Sequence, residues 1–179
     1  LVQSVTISGW FNHASSGGSS TGTAGAGKNT AYGIRVQQNN TPATKWQFYF
    51  TDAAGQLHVL TSPDEYDNDQ WHHVVGTYDG YTARLYVDGE LVKEEAFVGS
   101  LKSTPDEAFY IGRRAGYYFP GMIDDVTLWD RALTPEGAAP LRIAAPPAVA
   151  IAGGHEICAL HASGAASCFA PYRDEDSRC

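Results

Sequence analysis

Trp71-His-His-Val-Val-Gly-Thr-Tyr-Asp-Gly-Tyr-Thr-Ala-Arg-Leu-Tyr-Val-Asp-Gly-Glu-Leu91 decides the fold. Its opening residues alternate, so Trp71, His73, Val75 and Thr77 share one strand face while His72, Val74, Gly76 and Tyr78 share the other. Asp79-Gly80 turns the chain, and Ala83–Val87 returns with Leu85 and Val87 facing one way between Arg84, Tyr86 and Asp88. Asp88-Gly89 is the strongest hairpin signal present, because a type I′ turn needs positive φ and glycine adopts it without steric cost. Glu90–Val98 reads as the strand that follows.

The same alternation extends in both directions. Val5–Phe11 has period two, and Tyr32–Gln37 is a second strand. Trp46–Phe50 and Leu57–Thr61 flank the turn signal Asp52-Ala-Ala-Gly55, and Phe109–Gly112 and Gly121–Trp129 complete the set. Asn12–Asn29, rich in Gly, Ser, Thr and Ala and without period, is expected to be a flexible loop. Ser62–Asp69 is expected to be an acidic loop holding Asp64, Glu65, Asp67 and Asp69. Strands at a spacing of roughly ten residues, with no helix between them, predict an all-β fold: a two-sheet antiparallel jelly-roll sandwich. Its sheets should lie about 10 Å apart, the inward alternates buried and the outward ones solvated.

Beyond the strands, Thr134-Pro135 has the chemistry of a helix start, which Gly137-Ala-Ala-Pro140 cuts short. The expected organisation is a sandwich over residues 1–137, an Ala/Pro-rich linker over 138–148, and a cysteine-bearing extension over 149–179. The 179 residues, 43% hydrophobic and 18% charged, fit one domain or one domain plus a fragment and exclude wholesale disorder. The longest apolar run, Ala144–Ala152, carries two prolines and falls well short of the roughly 18–20 residues that span a bilayer. The start Leu-Val-Gln-Ser has no basic leader, so a mature, processed or truncated piece is expected. Twelve basic against twenty acidic residues give a net charge of -8. Each half of the chain is acidic, so no basic tail or face is evident, and neither nucleic acid nor an anionic membrane is expected as a partner.

Catalytic patterns fail on context. Gly18-Ser-Ser20-Thr-Gly22 satisfies the nucleophile-elbow pattern but lacks the strand before it and the helix after it. Gly22–Asn29 is one residue short of a phosphate loop, with Asn29 where a hydroxyl should hold magnesium. His72 and His73 are adjacent on a strand and point to opposite faces, while His13, His58, His155 and His161 have no zinc spacing with the cysteines. Asp124, Asp125 and Asp130 have no Glu partner at the spacing that glycoside hydrolysis on one strand requires. No enzyme is expected.

For ligand contact the strongest group is Tyr117 and Tyr118 beside Arg113 and Arg114, since sugars stack on rings and need polar partners for their hydroxyls. Tyr66 and Tyr81 sit at other turns, and Asn39-Asn40-Thr41 is a glycosylation sequon. Cys158 and Cys168 flank a turn at Ser163-Gly164. An odd loop would set them opposite each other, within reach of a disulfide formed in an oxidising compartment, with Cys179 left over.

Leu1–Leu133 resembles the laminin-G-like, concanavalin-A-like jelly-roll domains of secreted proteins. The matching stretches are Val5–Trp10, Trp71–Gly80, Leu85–Leu91, Tyr110–Gly112 and Phe119–Leu133. The resemblance implies a non-catalytic extracellular recognition module for a glycan or protein ligand. It also implies a structural Ca²⁺ near a sheet edge, held by Asp124 and Asp125 with carbonyls and water. A passive adhesive spacer, or an accessory domain of a carbohydrate-active enzyme, is the alternative. Two departures stand out: family members usually open with a further strand before the Thr-Ile-Ser motif, and they hold a strand where this chain has Ser15–Gly27. Val149–Leu160, Ser163-Gly164 and Cys168-Phe169 are similar to one unit of the propeller repeats named after the regulator of chromosome condensation. A single unit cannot close a propeller.

Overall fold

The computed structural model describes residues 4–15, 24–37, 43–114, 117–138, 141, 157–160 and 166–169, with residues 24, 114, 117 and everything beyond 141 as backbone only. In chain order the strands are β1 (Val5–His13), β2 (Ala24–Lys28), β3 (Tyr32–Gln37), β4 (Ala43–Thr51), β5 (Leu57–Thr61), β6 (Tyr66–Asp67) and β7 (Trp71–Tyr78). There follow β8 (Thr82–Val87), β9 (Glu90–Ala96), β10 (Tyr110–Ile111), β11 (Arg113–Arg114), β12 (Tyr117–Tyr118), β13 (Gly121–Trp129), the single helical turn α1 (Pro135–Ala138), and β14 (Ile157–Leu160) with β15 (Ala166–Phe169).

Two antiparallel sheets build the sandwich. The first runs β13-β1-β7-β8-β9; the second runs β10-β2-β3-β4-β5, with β6 on the end of β4. Period-two alternation selects the core, as expected. Val5, Ile7, Phe11, Val74, Tyr78, Leu85 and Val87 of the first sheet meet Ile34, Val36, Trp46, Phe48, Phe50 and Leu60 of the second. Gly76 is required at its place, since a Cβ there would run into the Phe48 ring. Burying side chains of this size, at about 1.5–3 kcal/mol each, is the main stabilising contribution.

The tract expected to be a loop contains β2, which pairs with both β3 and β10. Its glycines are there for close approach. A Cβ on Gly25 would enter the Phe11 ring, and one on Gly27, at φ +152°, would meet the Tyr32 carbonyl. An Ala-Gly-Ala-Gly strand carries no apolar alternation, so periodicity cannot find it. The acidic loop likewise contributes the two-residue β6, and the loop around Tyr117 is the small hairpin β11–β12.

The outward face of the first sheet is not solvated as expected. Thr6, Ser8, Trp10, His73, Val75, Thr77 and Tyr86 are all buried. The chain beyond β13 lies across them: Leu133, Ala138 and Leu141 pack on Val75 and Tyr86 in a second apolar cluster. The Thr6 hydroxyl ties this strap down, donating to the Arg131 carbonyl at 2.8 Å and accepting from the Leu133 amide at 2.8 Å. The alternation predicted faces correctly, but a polar-rich outer face does not reveal that a later segment covers it.

The chain divides into two compact units, Leu1–Ala144 and Ala145–Cys179. In the second, β14 and β15 form a hairpin whose register sets Cys158 directly opposite Cys168. Among the described residues no helix is long and apolar enough to cross a membrane.

Candidate functional site

The outer face of the second sheet carries the candidate site, with Tyr49 and Gln47 buried and Arg35, Gln37, Lys45 and Thr61 half-buried. Register places Tyr110, Gly27, Gly33, Tyr49 and Val59 in one row across its five strands, and Ala24, Arg35, Gln47 and Thr61 in the next. A third row pairs Gln37 with Lys45. All stand on the face opposite Ile34, Trp46, Phe48 and Phe50, because strand residues alternate. Gly33 leaves room for the Tyr49 ring: a Cβ there would stand 2.7 Å from the Tyr49 hydroxyl. That hydroxyl donates to the Lys28 carbonyl at 3.1 Å.

A hydrogen-bonded network crosses three of these strands. Arg35 Nε donates to Gln47 Oε1 at 2.7 Å, and its guanidinium lies 5.1 Å over the Tyr49 ring. Gln47 Nε2 donates in turn to Thr61 Oγ1 at 2.9 Å and to Gln37 Oε1 at 3.3 Å. Lys45 Nζ donates to the Pro63 carbonyl at 2.6 Å. Each side chain is thus fixed by its neighbour, so little rotamer freedom remains to be lost when a ligand arrives. A guanidinium, two amides and a hydroxyl on one surface suit the mixed donors and acceptors of sugar hydroxyls.

Of the ligand residues expected from sequence, the structure brings Arg113 and Tyr118 together. They are directly opposed across β11–β12, and Tyr118 is 71% exposed. The Arg113 guanidinium lies 5.7 Å over the ring of Tyr110, the residue at the end of the first row. Tyr117 pairs with Arg114 in register. The hairpin is anchored by Phe119, which packs on Phe11 at 5.9 Å between ring centroids, and by the Phe119 amide bonding the Gly112 carbonyl. The Arg35–Gln47–Gln37–Thr61 network was not read from the sequence. The available signal is polar residues at alternate positions 35, 37, 45, 47 and 61 of strands whose other positions are apolar.

Asp124 and Asp125 lie on β13, the outermost strand of the first sheet. Ser8 pairs with Thr127 but Trp10 with Asp124, so Gly9 faces a β-bulge formed by Asp125 and Val126. Asp125 takes φ +47°, and its amide donates to Asp124 Oδ1 at 2.8 Å. The bulge brings two carboxylates to a sheet edge, oxygen donors suited to a hard cation, yet a Ca²⁺ shell needs six to eight oxygens. Among the described residues no group of three or more His, Cys, Asp or Glu could hold a metal. Carbonyls and water would have to supply the remainder.

The two histidines separate as expected. His73 is buried on the outer face against Trp10, ring centroids 5.2 Å apart. His72 faces inward, where Nδ1 donates to Asp88 Oδ2 at 2.8 Å and Nε2 to the Asp67 carbonyl at 3.1 Å. Both partners are acceptors, so both ring nitrogens must carry protons and the imidazolium is favoured. Burial opposes that charge, but the Asp88 carboxylate and the Asp67 carbonyl outweigh it and raise the His72 pKa. His13 is pushed down by burial, against the smaller pull of Asn68 and Asp69. Ser20, the sequon at Asn39-Asn40-Thr41, His155, His161 and Cys179 lie outside the described residues.

The fold resembles solved structures of low sequence identity. Domain 4 of AbnA, an extracellular arabinanase of Geobacillus stearothermophilus, in complex with arabinotriose, aligns at TM-score 0.60 and 17% identity, over 78% of this chain and 66% of that one. A heptameric SAP-like pentraxin from Limulus polyphemus aligns at 0.59 and 16% identity, over 78% and 70%. The CBM40 of the Ruminococcus gnavus IT-sialidase, bound to α2,3-sialyllactose, aligns at 0.55 and 13%, over 78% and 83%. No curated protein matches by sequence. The Laminin_G_3 family model, described as the concanavalin A-like lectin/glucanases superfamily, matches residues 2–139, the length of the sandwich and its strap. The chain therefore belongs to that family of concanavalin A-like domains.

Proposed function

We propose that the sandwich is a non-catalytic, extracellular glycan-binding module that presents the outer face of the β10-β2-β3-β4-β5 sheet to an oligosaccharide. The observation that carries this reading is the hydrogen-bonded network Arg35–Gln47–Gln37/Thr61 on the outer sheet face. The complexes with arabinotriose and sialyllactose among similar folds support it. Arg113 and Tyr118 extend the surface past β2, with Tyr118 offering its ring to the apolar face of a sugar. The opposition of Cys158 and Cys168 supports a disulfide in the second unit, in keeping with an oxidising compartment.

A glycan array followed by calorimetric titration tests the reading. Binding to one or more oligosaccharides is expected, and Gln47→Ala should weaken it at least tenfold, since the amide holds three neighbours in place. Silence across the array would leave the passive spacer as the surviving reading.

The same reading gives calcium a supporting role at Asp124 and Asp125. A ligand that binds only the folded state stabilises by about 2.7 kcal/mol at a hundredfold excess over Kd. At roughly 2–4 °C per kcal/mol for a domain of this size, the melting midpoint should rise by about 5–10 °C in calcium over chelator. Asp124→Ala should abolish that rise. An equal midpoint in calcium and chelator removes the cation from the mechanism.

A further inference from the structure

His13 closes β1 and is only 2% exposed, with Nδ1 donating to Asn68 Oδ1 at 3.1 Å. The proton on Nδ1 leaves Nε2 as an acceptor, and among the described residues nothing donates to it. The ring meets Phe119 edge to face, 5.5 Å between centroids. His13 thus pins three segments at one point: the end of β1, the loop Ser62–Asp69 through Asn68, and the β11–β12 hairpin through Phe119. Backbone bonds follow the same seam. The Asp69 amide donates to the His13 carbonyl at 2.8 Å, and the Ala14 amide to the Pro120 carbonyl at 2.7 Å.

A second proton would turn Nε2 into a buried donor with no acceptor. Trp46 Nε1, another buried polar atom without a partner whose ring also packs on Phe119, is itself a donor. The charged groups around the ring give little relief. Asp69 spends its Oδ1 on the Ser15 amide at 3.2 Å, and its bonds to Ser15 hold its carboxyl below the usual range, so its charge stays constant. Asp67 of the same loop turns its carbonyl to His72. From β7, His72 lies diagonal to His13 on the inner face and already carries protons on both nitrogens. β13 sets the uncharged Gly121 opposite. Burial therefore outweighs Asn68 and Asp69 and keeps the His13 pKa below 6.5.

We propose that His13 is an acid-operated latch on the glycan surface: on taking a second proton its ring leaves Phe119 and Asn68, the β11–β12 hairpin loosens, and Arg113 and Tyr118 let go of the ligand. The inference rests on the glycan-binding reading above and adds regulation to that same site. The device works by linkage. An open hairpin that wets the ring binds a proton more tightly than the closed one, so acid shifts the population toward open. Arg113 and Tyr118 lie between Gly112 and Phe119, which are bonded amide to carbonyl at 2.8 Å, so movement of Phe119 carries both. His72 acts in the other sense, its contribution complete at low pH, and so is not a source of loosening in acid. Arg35, Gln37, Gln47 and Thr61 have no group that titrates in this range, so binding should weaken and not vanish.

Hydrogen exchange of the intact chain, read by mass spectrometry and corrected for intrinsic rates, follows the latch without a ligand. From about pH 7.5 to about pH 5, the hairpin around the Phe119 amide should lose protection about fivefold or more relative to β3 and β4. Asn68→Asp keeps the imidazole and gives the closed state a carboxylate for the second proton, so the loss should disappear. His13→Asn, which keeps an amide near the place of Nδ1 and does not titrate, should remove it as well. The glycan array, with arabinotriose and α2,3-sialyllactose among its members, is then read at both pH values and its hits titrated. Affinity should fall about fivefold or more in acid for the wild type, and be equal at both pH values for Asn68→Asp. Protection that does not fall in acid, or that falls equally in both variants, overturns the latch and leaves the glycan reading standing. Lost protection with unchanged affinity does the same. Silence of the array at neutral pH overturns the glycan reading and this regulation with it.

Discussion

Phe11→Ala is expected to lower the free energy of unfolding by about 3–5 kcal/mol, as removal of a fully buried Phe ring does where the site cannot collapse. Phe11 is fully buried and touches both layers: its ring packs against Trp46 at 5.4 Å and Phe119 at 5.9 Å. Gly9 on its own strand and Gly25 on β2 both lie against that ring, so the backbone itself has been brought up to it. The flanking groups are other aromatic rings and backbone, which cannot flow into a vacated space. With total stability on the order of 5–15 kcal/mol, the loss would remove a large share and lower the midpoint by roughly 6–20 °C. Phe119 anchors the Arg113–Tyr118 hairpin, so the hairpin should loosen with it. Denaturant unfolding of Phe11→Ala beside Phe11→Leu checks this. A cost below about 1 kcal/mol for the alanine would show that the ring is not what joins β1 to β2.

The second large effect depends on pH. Asp88 sits at φ +52° in the β8–β9 turn and accepts the His73 amide at 2.9 Å on one oxygen and His72 Nδ1 at 2.8 Å on the other. Asp88→Asn keeps the turn, because Asn also tolerates positive φ, but removes the charge. The expected cost is about 1.5–3 kcal/mol, the range for a hydrogen bond between charged partners. His72 has a raised pKa, so its contribution is complete below the unfolded value of 6.5 and fades as pH climbs through the folded value. The penalty for Asp88→Asn should therefore be largest near about pH 6 and shrink toward about pH 9. In the variant only Asp67 would remain to oppose burial at His72, so the contribution of His72 to the pH slope should shrink. His13, with a lowered pKa, contributes in the opposite sense: its stabilisation is present above 6.5 and lost as pH falls below. Denaturant midpoints from pH 5 to 9 for both proteins would show it, and a penalty independent of pH would mean that His72 is neutral in the fold.

Legibility followed the physics of each signal. β4 and β8 announce themselves because apolar and polar residues alternate along them, and Asp88-Gly89 admits few turns but a hairpin. β2 was hidden because the demand on Gly25 and Gly27 comes from Phe11 and Tyr32, residues distant or across a turn, and not from its own pattern. The candidate site was only half legible for a related reason. Arg113 and Tyr118 are near neighbours in sequence, so one short hairpin is enough to set them side by side. Arg35, Gln47 and Thr61 belong to three strands, and only register makes them one surface.

The strap that closes over Val75 and Tyr86 alters what counts as the end of this domain. A gene fragment cut after Trp129 would encode every strand of the sandwich and pass any tally of secondary structure. It would also bare a face evolved to be permanently wrapped, and the product would stick to itself or to a column for reasons unrelated to its ligand. Anyone dissecting a larger protein that carries such a module should set the scissors beyond Leu141, where the wrapping is done.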